Sequence, residues 1–271
     1  MNRPKQRIPK SDRRFAFVLI GLAIGFSAIL IAMVCANAWV AVSDQGGAWE
    51  TLQRTEIRQA IWLSIGTSLL STVISLWAGT AIAYLVSKHK FFGRRAVDLL
   101  MDLPVFLPPL VIGMSLLILF RQTPLVVLDD WLQIAFEVPA IILAQSIVAT
   151  AFVYRTMKAT FDRQTGRAEQ IAATLGATRW QAFTSVTIPA SKQGLLASAA
   201  MAWARAFGEF GPVLVFAGSF RGRTEVLPVS IYLELNSGNV AGAAMISLMM
   251  IAIAATVLLL VRVVARDRSE R

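Results

Sequence analysis

The chain has 271 residues, 56% of them hydrophobic and only 15% charged, with 26 Lys and Arg against 16 Asp and Glu and a formal net charge of +10. An ordinary soluble domain is roughly a quarter charged, so too few charges are present to coat a soluble surface, and the apolar content excludes a disordered tail. One Cys and one His exclude an internal disulfide and a zinc cage, which leaves an all-α, polytopic membrane protein.

A membrane-spanning helix needs about 20 largely apolar residues, because hydrocarbon offers the backbone no hydrogen-bond partner. Six stretches meet that test: Phe15–Val42, Ile57–Val86, Leu99–Phe120, Val138–Met157, Gly194–Ala217 and Val240–Val264. A basic segment, residues 1–14, precedes the first helix at 15–42. Ser11-Asp12-Arg13-Arg14-Phe15 resembles a twin-arginine signal and Ala36-Asn37-Ala38 a cleavage site. The apolar run is nevertheless longer than the about 7–15 residues of a signal core, so a retained helix is expected. Gly21 and Gly25 form a GxxxG that can support a close helix crossing or arise by chance in a small-residue-rich helix. Cys35 reads as a residue of that helix. Residues 57–264 then make the core, with five further helices and a cytoplasmic loop at about 158–193; a tail follows at 265–271. Pro104, Pro108 and Pro109 stand near the start of the third span and predict a kink there.

The basic residues orient these spans. With the N-terminus inside, the four cytoplasmic pieces hold 20 of the 26 Lys and Arg. The outer loops hold Arg54, Arg58, Arg121, Arg221 and Arg223, and Arg205 lies inside the fifth span. By the positive-inside rule both termini are cytoplasmic. A charge scattered over four cytoplasmic edges is what topology alone produces, so nucleic acid is not implied as a partner.

Enzyme chemistry fails on inventory. His89 sits in a basic loop, Ser87-Lys88-His89-Lys90, and reads as a solvated residue rather than a base. No catalytic triad, paired-carboxylate site or phosphate-binding loop can be assembled. Within the membrane, Arg205 and Glu209 are four residues apart and share a helix face. A central charge costs roughly 2.5–3.5 kcal/mol on insertion scales, so the two are expected to neutralise each other. The pair either fixes packing or lines a hydrated gate. Gly208, Gly211 and Pro212 favour a bend beside it and permit close approach of another backbone. Ser115, Gln145 and Ser146 are read as packing hydrogen bonders.

The loop between the fourth and fifth spans, about 35 residues long, exceeds ordinary connections and calls for structure or function. Residues from about Arg167 to Leu175 are helix-competent and acidic at the start, and Gly176 makes a natural C-terminal stop. Thr178 can N-cap a second short helix that sets Trp180 and Phe183 on one side. Pro189 is expected to close this element before the fifth span. A helix–Gly–helix with an aromatic knob suits docking of a soluble protein, or, alternatively, an interfacial helix on lipid headgroups.

This stretch resembles the EAA loop of ABC-importer permeases, in which Glu-Ala-Ala, three residues, Gly, nine residues and Ile-x-Leu-Pro follow in order. Gly176 and Pro189 match at the required offset, with Val186 and Ile188 in place of Ile and Leu. Two positions depart: Gln170 occupies the acidic position while Glu169 stands one residue earlier, and Ile171 replaces the first Ala. Over about residues 57–265 the chain is similar to the molybdate/tungstate and sulfate oxyanion group of type I importer permeases. The likeness includes Leu103-Pro104-Val105-Phe106-Leu107-Pro108-Pro109, Gly208-Glu209-Phe210-Gly211 and Arg223-Thr224-Glu225-Val226-Leu227-Pro228-Val229-Ser230-Ile231-Tyr232. The last two pieces look more like molybdate/tungstate permeases than sulfate ones.

The resemblance implies an inner-membrane homodimer of this chain around a central pathway, two cassette ATPase subunits on the cytoplasmic side, and an external oxyanion-binding protein. No cofactor is bound by the chain; ATP and Mg belong to the ATPase. It implies that Glu169, Gln170, Ala172, Leu175, Gly176, Ala177, Arg179, Trp180, Phe183 and Pro189 couple to the ATPase. Pro108, Pro109, Arg205, Gly208, Glu209 and Gly211 are the gate candidates. A sulfate or thiosulfate permease is the alternative. An ion-coupled secondary transporter would carry inverted repeats, and no internal repeat is evident.

Overall fold

The structure, a computed structural model, describes residues 10–43, 47–122 and 124–267. Residues 1–9 of the basic N-terminal segment and 268–271 of the tail lie outside the described residues. Among the described residues all regular elements are helical: α1 (Lys10–Ser43), α2 (Gly47–Gln53), α3 (Thr55–Lys88), α4 (Arg94–Phe106), α5 (Pro109–Gln122), α6 (Val126–Leu132), α7 (Val138–Asp162), α8 (Arg167–Thr174), α9 (Arg179–Ala182), α10 (Ile188–Ala190), α11 (Lys192–Phe207), α12 (Gly211–Phe216), α13 (Leu227–Asn236) and α14 (Val240–Asp267).

Four of these are long and apolar enough to cross a bilayer: α1 from Phe15, α3, α7 and α14 through Val261. The α4–α5 pair adds a fifth if counted as one broken span, although its two parts meet at 116°. The expected third span, Leu99–Phe120, is therefore two helices. Leu107 is extended (φ −72°, ψ 139°), as a residue before proline must be, and the paired Pro108 and Pro109 remove two backbone donors. The expected fifth span, Gly194–Ala217, is likewise divided into α11 and α12 around Gly208–Phe210, with Pro212 in the first turn of the new helix, where its missing N–H costs nothing.

Polar chemistry holds α4 aside. Asp98 and Asp102 lie one turn apart and face the end of α7. Tyr154 donates its hydroxyl to Asp98, Arg155 Nε lies 2.9 Å from Asp102, and Lys158 Nζ lies 3.9 Å from Asp98. The amphipathic α4 is thus pinned across α7 by its acidic stripe rather than threaded straight through the apolar layer.

The centre is the α3–α7 contact, with α11 laid against both. Small residues let the two backbones close in: a Cβ on Gly79 would fall 2.8 Å from Val153 Cβ. Ser71 Oγ donates to Gln145 Oε1 (3.0 Å) and Ser75 Oγ to the Ser146 carbonyl (3.1 Å), satisfying hydroxyls that would be costly in an apolar layer. Ala149, Val153, Met157, Ala202 and Ala206 fill one half of this core, and Ile112, Ile141, Val148, Val213 and Phe216 the other.

Ala41 packs on Ala244, while Ile57 packs with Ile246. Hence α14 starts beside the start of α3, and α1 runs antiparallel to it. The first residues of α1 and the last of α14 therefore share one end of the bundle with the α3–α4 and α7–α11 connections. Gly21 and Gly25 face open space, so among the described residues the GxxxG makes no close crossing.

Candidate functional site

The α7–α11 connection takes its shape first from local capping. Gly176 adopts φ +90°, a left-handed conformation that glycine takes without steric cost. Its N–H donates to the Ala173 carbonyl, and the Ala177 N–H donates to the Ala172 carbonyl, both at 3.0 Å. These two bonds form a Schellman motif that satisfies the orphan carbonyls of α8. Thr178 then opens α9 with a reciprocal capping box: the Gln181 N–H donates to Thr178 Oγ1 (3.2 Å), and the Thr178 N–H donates to Gln181 Oε1 (2.8 Å).

Pro189 stands one residue before the end of the element, which stops at Ala190 with a turn at Ser191 before α11. The backbone continues from α9 through a π turn, Phe183–Thr187, into α10. A regular α-helix would press the Pro189 ring against the Ser185 carbonyl four residues back, and the wider turn relieves that clash.

The side chains divide into an outward and an inward set. Leu175 is 83% and Trp180 71% exposed, and Gln170, Arg179 and Pro189 are exposed as well. Phe183 is half-buried and bridges inward: its ring centroid is 5.9 Å from that of Trp180 and 4.5 Å from that of Tyr84. Tyr84 in turn meets Phe161 edge-on at 5.6 Å. A continuous aromatic chain thus leads from the exposed knob into α3 and α7. Glu169 also faces inward, accepting from the Thr187 and Tyr84 hydroxyls, so it braces the loop while Gln170 is left outside. His89 is not simply solvated, since its ring lies edge-on to Tyr84 at 5.9 Å.

The second candidate region is the crossing of α5 and α12. A Cβ on Gly211 would fall 2.8 Å from Pro109 Cβ, and one on Gly113 would fall 2.8 Å from Pro212 Cα. Each helix thus offers a glycine to the other's proline. Pro108 lies in the α4–α5 break itself. Gly208 has ordinary helical surroundings, its nearest neighbour being the Ala204 carbonyl at 3.4 Å, so the close approach expected of it falls to Gly211 alone. Arg205 Nη1 is 2.9 Å from Glu209 Oε2, without the alignment of a hydrogen bond. Glu209 is buried in the chain, whereas Arg205 remains partly exposed and lies over the Phe152 ring at 5.9 Å.

Three residues carry structure that the sequence reading passed over. Tyr84 joins the loop to the core. Glu234 is a buried hub, accepting from Arg221 (3.0 Å), Asn239 (2.6 Å) and Arg54 (3.4 Å). Glu225 is buried, and among the described residues neither of its oxygens is hydrogen-bonded. An acidic residue within an apolar, proline-containing stretch such as 224–235 was the available signal for both acids. Among the described residues no group of three or more His, Cys, Asp or Glu could hold a metal ion.

The chain is thus an apolar helical bundle with two broken helices interlocked by glycine and proline, and an exposed capped loop at one end. The family described as "binding-protein-dependent transport system inner membrane component" matches residues 71–270, and the chain belongs to it. It is 32% identical over 218 residues to the molybdenum transport system permease protein ModB of Escherichia coli K12, covering 79% of this chain and 95% of that protein. It is also 32% identical over 244 residues to the sulfate transport system permease protein CysW of the same strain, covering 86% and 83%. Its fold is shared with a chain of a bacterial alginate ABC transporter, solved with an alginate-bound periplasmic protein, at a TM-score of 0.76 and 17% identity over 95% of this chain and 96% of that one. The MetNI methionine ABC transporter gives a TM-score of 0.53 at 16% identity, over 85% and 94%. The chain is accordingly an inner-membrane ABC-importer permease subunit, and ATP hydrolysis belongs to a separate subunit.

Proposed function

We propose that this permease imports a tetrahedral oxyanion, molybdate or tungstate, by alternating access. Support for the anion comes from the Gly208–Gly211 and Thr224–Tyr232 motifs, beside the 32% identity to the E. coli molybdenum permease. Sulfate or thiosulfate is the second reading, favoured by the equal identity to CysW.

One observation carries the mechanism: the capped helix–Gly–helix presents Leu175 and Trp180 outward, and its aromatic chain runs without a gap into α3 and α7. In this reading the loop end is cytoplasmic, as are both termini, and two cassette ATPase subunits carrying ATP and Mg grip the loop, with Gln170, Arg179 and Pro189 at the contact. Closure of the ATPase pushes on Trp180 and Phe183, which move the α3–α7 core as a body. The interlocked α5–α12 pair, beside Arg205 and Glu209, opens or closes the pathway. An external binding protein delivers the anion at the opposite end. The partner permease is a second copy of this chain; the alternative is a different permease chain, since CysW and CysT of one E. coli strain are both relatives.

The test is reconstitution of this chain with a cassette ATPase and an external binding protein in proteoliposomes. ATP-dependent uptake of labelled molybdate, outcompeted by tungstate and not by equimolar sulfate, is the expected result. ATPase activity indifferent to this chain sinks the coupling reading, and preferential uptake of sulfate replaces the anion. Mass measurement of the extracted complex counts the permease copies.

A further inference from the structure

At the end of the bundle opposite the α7–α11 loop, the first turns of α3 and the segment leading into α13 border an open cleft of about 460 Å³. Arg58, Gln59, Trp62, Gly222, Arg223 and Glu225 line it. Its chemistry is internally opposed. Glu225 is 1% exposed and, among the described residues, both of its carboxyl oxygens lack a hydrogen-bond partner, an arrangement costly enough to call for a partner from outside the chain. Two guanidinium groups line the same space, yet neither pairs with it. Arg223 is engaged by Glu137, and Arg58 takes part in none of the ion pairs among the described residues.

A simple cation entering this cleft meets two arginines, and a simple anion meets a buried carboxyl group. A ligand carrying an ammonium and a phosphate a few bonds apart satisfies both. The surroundings say where such a ligand comes from. Trp62, 74% exposed, stands at the mouth, and exposed Leu69, Leu70, Val73 and Trp77 continue down α3 from it, a track of the right chemistry for an acyl chain. Exposed Trp39, Trp49 and Trp131 lie at the same end as Trp62, and tryptophan gathers at the headgroup level of a bilayer.

We propose that this cleft is a binding site for a zwitterionic phospholipid headgroup with a primary ammonium, of the phosphatidylethanolamine type. The ammonium donates to both oxygens of Glu225, the phosphate lies between Arg58 and Arg223, and the chains descend past Trp62. A trimethylammonium headgroup has no N–H to donate, and a glycerol headgroup has no cation, so both are discriminated against. The assignment is independent of which anion the protein imports.

The experiment is native mass spectrometry of the purified, delipidated chain, with any subunits it retains, offered equal amounts of palmitoyl-oleoyl phosphatidylethanolamine, phosphatidylglycerol and phosphatidylcholine. The ethanolamine lipid is expected to be retained about tenfold over the other two, the factor of a charge-assisted hydrogen bond. Glu225→Gln is expected to abolish that preference, and Arg58→Gln, on an exposed and unpaired side chain, to weaken the ethanolamine and glycerol lipids together. A series on the unmutated chain needs no variant to fold: retention should fall stepwise from ethanolamine to its N-methyl and N,N-dimethyl forms and then to choline. Inorganic phosphate and molybdate should not displace the lipid. Equal retention of the three lipids, a flat methylation series, an unchanged preference in Glu225→Gln, or displacement by either free anion overturns the proposal.

Discussion

The α5–α12 crossing and the α8–α9 loop both depend on glycine, and they depend on it for opposite reasons. At the crossing, Gly113 and Gly211 are ordinary in backbone conformation and surrounded: a Cβ on either meets a proline at 2.8 Å. In the loop, Gly176 is surrounded by nothing within 4 Å, and what it supplies is φ +90°. The first glycines are required by what lies outside them, the second by the path of its own chain. The crossing is therefore a steric lock that transmits motion only as a unit, whereas the loop is a locally determined shape that presents a surface and can be altered without disturbing the bundle.

Three substitutions would break or sharpen this contrast. Gly113→Ala should have the largest effect on stability, about 2–3 kcal/mol from overpacking against a backbone that cannot give, read as a lower thermal midpoint and lower extracted yield; an unchanged midpoint would mean that the crossing is loose. Gly176→Val should cost about 1–2 kcal/mol through backbone strain alone. That loss should be confined to the loop, so membrane insertion stays intact while ATP-dependent uptake falls, and normal uptake would show that the loop shape is dispensable. Trp180→Ala should change stability by no more than about 0.5 kcal/mol, as expected at an exposed position, yet weaken association with the ATPase subunit by about tenfold or more. Affinity left untouched would move the docking surface elsewhere.

The loop was legible in the sequence because its determinants are local. Gly176 as a stop and Thr178 as a cap act through bonds to residues within five positions of themselves. Pro189 marks the end of the element to within one residue, but no residue in Phe183–Thr187 announces the π turn that precedes it. The breaks were half legible. Pro108, Pro109 and Pro212 mark where donors are missing, but the 116° angle between α4 and α5 depends on Asp98 and Asp102 finding Tyr154 and Arg155, more than 50 residues away in sequence. Glu169 was placed on the correct helix and given an outward role. Its inward turn needs Tyr84, 85 residues distant, and pairings of that range leave no periodic trace. Glu234 carried a signal as an acid in an apolar stretch, but its pairing with Arg54, 180 residues distant, did not.

The placement of α1 against α14 has a consequence in time. From Phe15 to Ser43 the helix carries no charged residue, and its packing partner is the last helix of the chain, which begins at Val240. Synthesis at about 5–20 residues per second puts roughly 10–40 seconds between completion of the first helix and the emergence of its partner. Throughout that interval α1 must persist alone in lipid, already inserted and not yet folded against anything. Its uncharged circumference is thus a requirement of biogenesis, met before the transporter it anchors exists.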